Sequence, residues 1–587
     1  VSLNIASSIA LGSLMTTQVQ ISVTSSNISN ASTTGYTVKT ANQSATVTGG
    51  VGTGTTITGI TSTVDKLLLK SLVQATSALG SATTTNSYLD QLQALYGTSG
   101  DSSNTSLADT LTTLEQALSS LSSDPSSSSL KANVISALDT LATRLRDTSS
   151  GIQDLRSDAD QSIDAAVDVV NEQLNLIAGL NAQIRLAAAS GQATGDLEDQ
   201  RNTAVQEIAS RMNVSYFISS SGDMQIYTGS GRALLDSTVH ELTYTPAATV
   251  TSSTTYSASS TGGFSGITVD GVDVTGQISS GSIGALIVLR DTTLPAAQAQ
   301  LDQLATELAD SLNAVSNLGS ALPPKSTLTG TTAVTASDAL NGTGTVRIAV
   351  TDQKGALVSY GDLDLANYAT VGDLVNAVNG ISGLSASIDS SGHVVIVASS
   401  SSNGIAIANM TGSVGDDSLG LSDYLGLNDV VTATSAADFK VAAGLLADSS
   451  KLPTSSMSSA SSLTAGSTVL SAGSSTVTDA LYSALTGTTS FAAVGGLGAS
   501  DSSFADYAAE IIAHVATIAS AAEDAYTAKQ TAQSTLSSAL SSQSGVNVDE
   551  ETAKLSNLQN QYAAAAQLIQ AINEMFDALL SAVQSAG

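Results

Sequence analysis

Apolar residues recur at helical spacing at both ends of the chain, in two stripes of similar length. At the N-terminus Leu3, Ser7, Ala10, Leu14, Thr17, Ile21, Thr24 and Ile28 alternate steps of four and three, which places them on one helix face. The opposite face is Ser, Gln and Asn with hardly a charge. A solvated helix would carry Lys and Glu there, so several sides of this helix are expected to meet protein. At the C-terminus Leu555, Leu558, Tyr562, Ala565, Ile569, Ile572, Phe576, Leu579 and Val583 keep the same rhythm through four heptads, the pattern of a coiled-coil seam. Asp549, Glu550 and Glu551 precede it, where negative charge complements the helix dipole. Amphipathic helices ordinarily pack into their own domain. Both stripes, however, occupy extreme ends, where domains fray, and both have uncharged outer faces. The pattern therefore predicts a paired terminal bundle with contacts between molecules.

Between the ends the pattern changes several times. Residues 40–63 are Thr/Gly-rich with β-branched alternation and predict an extended segment or small hairpin. Leu67, Leu68 and Leu72, then Tyr88, Leu92 and Leu95, then Leu107 to Leu121 are helical stripes, broken at Asp124-Pro125. Val134 to Ile184 continue as a long helical rod, with a shorter helix through Ala204, Val205, Ile208 and Met212. VSYFI and MQIYT flank a Ser-Gly-Asp turn, and Asp270-Gly271 separates two short β patterns; both predict hairpins. Leu294 to Val315 is helical up to Pro323-Pro324. Residues 322–435 read as an inserted α+β domain, with VRIAV and VVIVA as strands and Val371, Leu374, Val375 and Val378 on a helix. Residues 452–490 read as mostly irregular, and helix resumes from Phe504 to Leu540.

The expected fold is thus multidomain α+β: paired N- and C-terminal coiled-coil-like helices, a long helical rod domain and a β-rich central insertion. Its parts are 1–39 with 545–587, then 40–321 with 436–544 carrying β-hairpins, and 322–435 outermost.

Composition narrows the function. Fifty acidic residues against 19 Lys and Arg give a net charge of −31. Nucleic acid and anionic lipid would both be repelled, so neither is an expected partner. Aromatic residues are 3 %, and there is no Trp or Cys. Small apolar side chains bury little area each, so stability is expected from length and repetition of contact. Disulfides and thiolate chemistry are excluded. No segment has the apolar length of a membrane span. Residues 1–28 have neither a basic n-region nor an apolar h-region, so a cleavable secretory signal is not expected there.

Candidate chemistry is sparse. His240, His393 and His514 stand far apart without metal-ligand spacing. No G-x-S-x-G elbow, Walker loop or EF-hand loop occurs, and Gly49–Thr56 lacks the Lys-Ser/Thr ending of a phosphate loop. Catalytic residues, cofactors and metals are therefore expected to be none.

The segment NISNASTTGYT (Asn27 to Thr37) carries more. Asn27 and Asn30 suit a helix end, Gly35 suits a positive φ and Tyr36 can dock a turn. It resembles the Asn-rich, Gly-Tyr-ending segment of bacterial flagellar axial proteins, the family of rod, hook and hook-associated proteins. Asn27, Asn30, Gly35 and Tyr36 match, while Thr34 stands where Pro is usual and Val38 where Arg is common. Ser544 to Val583, Gly195 to Asp236, Gly281 to Val315 and LSDYLGLND (Leu421 to Asp429) are similar to the hook-associated protein 1 branch of that family. The resemblance implies a structural ring of identical subunits joining hook to filament. Its implied partners are the hook protein and a second junction protein, with an export chaperone at the C-terminal region. It also implies type III export, without a cleaved signal, to the extracellular flagellum. Leu3, Leu14, Ile21, Ile28, Leu555, Leu558, Tyr562, Ile569, Ile572, Phe576, Leu579 and Val583 are then the assembly interface. The alternatives are another axial protein (flagellin or hook protein), a secreted enzyme with flagellar termini, or a surface adhesin.

Overall fold

The computed structural model describes residues 2–97, 106–257 and 263–585; the outermost residues of the two expected terminal segments lie outside them. Thirteen helices are described: α1 (Ser2–Ser29), α2 (Lys66–Tyr96), α3 (Leu107–Ser123), α4 (Ser128–Ala189), α5 (Gly195–Arg211), α6 (Gly281–Val288), α7 (Leu294–Ser316), α8 (Val371–Asn379), α9 (Leu421–Leu425), α10 (Ala443–Ala447), α11 (Thr476–Thr486), α12 (Phe504–Ser544) and α13 (Val548–Ser585). The strands as far as residue 408 are β1 (Lys39–Thr48), β2 (Val51–Ser62), β3 (Val214–Ile218), β4 (Met224–Thr228), β5 (Ala233–Leu235), β6 (Leu242–Thr243), β7 (Thr268–Val269), β8 (Val272–Asp273), β9 (Thr327–Ala333), β10 (Thr345–Asp352), β11 (Leu357–Asp364), β12 (Leu384–Ile388), β13 (His393–Ala398) and β14 (Asn403–Ala408). No helix among the described residues is long and apolar enough to cross a membrane.

The chain divides into two compact units. The first comprises Val1–Tyr88, Ser157–Asp291 and Ser520–Gly587. Its core lines up Ile163, Val167, Val170, Leu174 and Ile177 of α4 against Val205 and Ile208 of α5, Ile226 of β4 and Ile283 of α6. These α4 residues step by three and four, as one buried helix stripe must. β1 and β2 pair antiparallel from Lys39↔Ser62 to Thr48↔Val51, and Gly49 and Gly50 turn the chain at positive φ. The hairpin packs on α1. Two three-stranded antiparallel sheets, β3-β4-β5 and β6-β7-β8, complete the unit, the second turning at Asp270-Gly271, both at positive φ.

The second unit comprises Leu89–Arg156 and Thr292–Ala519, so the expected insertion at 322–435 falls wholly within it. There two antiparallel sheets, ordered β11-β10-β14 and β12-β13-β9, share a core with α8. Val346, Ile348 and Val350 of β10 are buried beside Val394 and Ile396 of β13 and Leu374 and Val378 of α8. The segment 452–490 is irregular over most of its length, as expected, with one helix near its end. Val477, Leu481 and Leu485 put a buried stripe on α11, which packs on α3 and α7. Four β-branched residues (Thr476, Val477, Thr478 and Thr486) and a Ser/Thr-rich lead-in mask that helix, and tertiary packing overrides such weak propensity.

Candidate assembly site

Helix α1 is built from Ser, Thr and β-branched residues and holds no charge, so isolated it would be marginal. Its packing partners supply what propensity does not. Ala10, Thr17 and Thr24 of the expected stripe are buried, and Leu3, Leu14, Ile21 and Ile28 are half-buried. Helix α13 lies against α1. Along α13 Leu558, Ala565 and Ile572 are buried, Leu555, Ile569 and Phe576 half-buried, and Tyr562, Leu579 and Val583 exposed. Apart from Tyr562, the heptad positions are covered as far as Phe576, and beyond it Leu579 and Val583 are exposed. On another side of α1, Thr16 donates from its hydroxyl to the Thr55 carbonyl of β2 at 3.2 Å.

The pair is anchored where α1 ends. Asn27 is fully buried and all its polar capacity is used. Its Nδ2 donates to the Lys39 carbonyl at 2.9 Å and to Glu551 Oε2 at 2.8 Å. Its Oδ1 accepts from the Lys39 amide at 3.0 Å and the Tyr36 hydroxyl at 3.0 Å. The side-chain amide therefore pairs with the Lys39 peptide as a neighbouring strand would, and reaches the first turn of α13 as well. Burial raises the Tyr36 hydroxyl above its ordinary pKa, which keeps it a donor. Asn30 folds its amide back to the Ser26 carbonyl at 3.0 Å, satisfying a helix-terminal acceptor.

The turn itself is held by α5. Gly35 has φ 78°, and a Cβ there would stand 2.6 Å from Thr203 Oγ1, so both conformation and space require glycine. Asp199 accepts the Thr37 amide at 2.9 Å and the Thr37 hydroxyl at 2.7 Å, and pairs with the Lys39 ammonium. Lys39 also lies 4.2 Å from the Tyr36 ring centroid and 3.5 Å from Asp196. A Cβ on Gly195 would meet Lys39 Cε at 2.7 Å, so that glycine makes room for the buried ammonium. The Val38 amide donates to the Ser544 carbonyl at the end of α12, at 2.8 Å.

Asn27, Asn30, Gly35 and Tyr36 are therefore brought together, and the joint needs Lys39 and Asp199, which the sequence reading does not select, and Glu551, which it takes only as a charge at the start of the C-terminal helix. One signal was available for Lys39, which is the first charged residue of the chain. It stands one position beyond Val38 and pairs with Asp199. His240 sits between Asp236 and Asp270, and His393 beside Asp389. Among the described residues no group of three or more His, Asp or Glu is placed to hold a metal ion.

Around the joint the terminal pair exposes apolar side chains. Leu11, Met15 and Val19 form one strip on α1; Leu568, Met575, Leu579, Leu580 and Val583 form another on α13. Strips of this kind mark interaction surfaces.

Three family profiles match the chain. Residues 89–332 match the flagellar hook-associated protein FlgK helical domain, residues 8–37 the flagella basal body rod protein, and residues 530–582 the flagellar basal body rod FlgEFG protein C-terminal. Flagellar hook-associated protein 1 of Salmonella typhimurium (strain LT2) is 24% identical over 584 residues, 97% of this chain and 98% of the relative. That of Escherichia coli (strain K12) is 26% identical over 313 residues, 52% of this chain and about half of the relative, 55%. The flagellar hook junction protein FlgK from Burkholderia pseudomallei, a solved structure, matches with a TM-score of 0.48 at 16% identity, covering 80% of this chain and 98% of that one.

Proposed function

We propose that the chain is a member of the hook-associated protein 1 family of bacterial flagellar axial proteins, a reading that the match of its helical part and its full-length similarity to a curated relative support, and that it is a structural ring subunit joining hook to filament, without catalytic activity. The observation that carries this reading is the terminal pair: two helices fixed to α5 by a polar joint whose centre is buried, with apolar strips on both left uncovered within the chain. A rigid mount with an uncovered apolar face suits a part whose remaining contacts come from neighbours in an axial tube. The same strip on α13 would need shielding before assembly, which supports an export chaperone acting at the C-terminal region. The hook protein on one side and a second junction protein on the other are the proposed neighbours, in the extracellular flagellum. In this reading residues 1–39 and 545–587 are the tube-forming part, with 40–321 and 436–544 around them and 322–435 outermost.

Truncation before Phe576 tests the reading. It removes Leu579, Leu580 and Val583, which are exposed, and keeps Leu558, Ala565 and Ile572, which are buried against the rest of the chain. The truncated chain is expected to stay folded and to be absent from purified hook–filament particles. Normal incorporation would contradict the proposal.

A further inference from the structure

Helix α5 separates two grooves of opposite character. Asp196, Asp199, Gln200, Thr203, Ala204 and Glu207 line one, together with Tyr36 and Leu176; its volume is about 650 Å³. Glu198, Arg201 and Asn202 line the other, which is bounded by Lys66, Leu67 and Lys70 from the start of α2. At about 100° per residue the two sets of α5 positions fall on opposite faces of the helix. Leu67 is 79% exposed, the most exposed large apolar side chain among the described residues, and it sits in the first turn of α2. Lys66 and Lys70, either side of it, have no ion-pair partner among the described residues, in a chain whose net charge is −31. The first groove offers the complement. Its Leu176 is 45% exposed, and the Asp196 side chain is 72% exposed, held by Lys39 only at 3.5 Å. Glu207 stands on the same wall, paired with Arg211 at 2.8 Å and 43% exposed.

We propose that the Lys66–Leu67–Lys70 knob of one copy of this chain seats in the acidic groove lined by Leu176, Asp196 and Glu207 on the next copy. Leu67 covers Leu176 and Tyr36, while the two ammonium groups face Asp196 and Glu207. Two different patches, one at the start of α2 and one along α5, make a heterologous contact, and a heterologous contact propagates from subunit to subunit into a ring or a helical array, where an isologous one stops at a dimer. The inference rests on the ring-subunit reading and deepens it by naming a lateral contact outside the terminal helices.

The absence of Cys from the chain makes the test direct. Full-length Leu67→Cys and Leu176→Cys chains are prepared separately, mixed under assembly conditions and oxidised. A cross-linked dimer is expected in the mixture and in neither variant alone, and the double variant is expected to give a ladder of multimers. Reversing the knob with Lys66→Glu and Lys70→Glu should cut cross-linking roughly tenfold, and adding Asp196→Lys and Glu207→Lys should restore it. A dimer from Leu67→Cys alone, or particles that assemble with no Leu67–Leu176 cross-link, would overturn the inference. Labelling at the hook–filament junction reads the underlying function independently, so a chain that reaches the junction without the cross-link refutes the contact and leaves the function standing.

Discussion

Asn27 makes four hydrogen bonds with one side chain, and each ties α1 to something outside it. Replacing it by Ala would strand the Lys39 peptide and a Glu551 oxygen in a buried site. Asn27→Ala is therefore expected to destabilise the first unit by about 3 kcal/mol in urea unfolding. Asn27→Asp is expected to be worse at pH 7 than at pH 4, because the new carboxylate would face Glu551, and protonation relieves that repulsion. In the second unit Asp423 adds a pH dependence of its own. Burial first, then the neighbouring Asp429 and Asp310 carboxylates, push the Asp423 carboxyl up to about 6. A carboxyl whose folded pKa lies above its unfolded value near 3.9 binds its proton more tightly in the fold. Its contribution to stability is accordingly greatest below about pH 4 and is lost as pH rises to about 6. Asp423→Asn is expected to remove that slope and to leave the unit more stable than the parent at pH 7, as thermal unfolding between pH 4 and 7 would record.

Elements show where sequence legibility ends. The hairpins at Gly49-Gly50 and Asp270-Gly271 were readable because two adjacent residues had to take positive φ. The α4 and α13 stripes were readable because large apolar residues kept a helical step. The faces of α1 were harder, since the burial there falls on Ala10, Thr16, Thr17 and Thr24, whose side chains give little hydropathy contrast. The joint was half legible. Asn27 and Gly35 announce themselves by type, but Asp199 and Glu551 lie 162 and 524 residues from their partners Thr37 and Asn27, and no local spacing points to them. The end of α13 was legible as a continuing heptad and not as a change of partner after Phe576. That change separates two kinds of substitution. Ile572→Ala or Leu558→Ala should weaken the docking of α13 on α1 by about 2–4 kcal/mol, measured as loss of hydrogen-exchange protection along both helices. Truncation before Phe576 should leave that protection in place while incorporation into particles is lost.

At the scale of the molecule, the mount, the exposed strips and the knob-and-groove pair divide one task. The joint at Asn27 fixes the terminal helices to α5, the strips on α1 and α13 await neighbours, and the knob on α2 with the groove along α5 offers a lateral contact. A chain of net charge −31 stays apart from other copies by self-repulsion until specific apolar and charge-matched surfaces meet. The most direct measurement is the position of the chain in an intact flagellum. A single fluorophore is placed on Ser401→Cys, at an exposed turn between β13 and β14. The account predicts one focus per flagellum, at the boundary between hook and filament. Label spread along the whole filament, or along the whole hook, would contradict it and identify the chain as the repeating subunit of that segment instead.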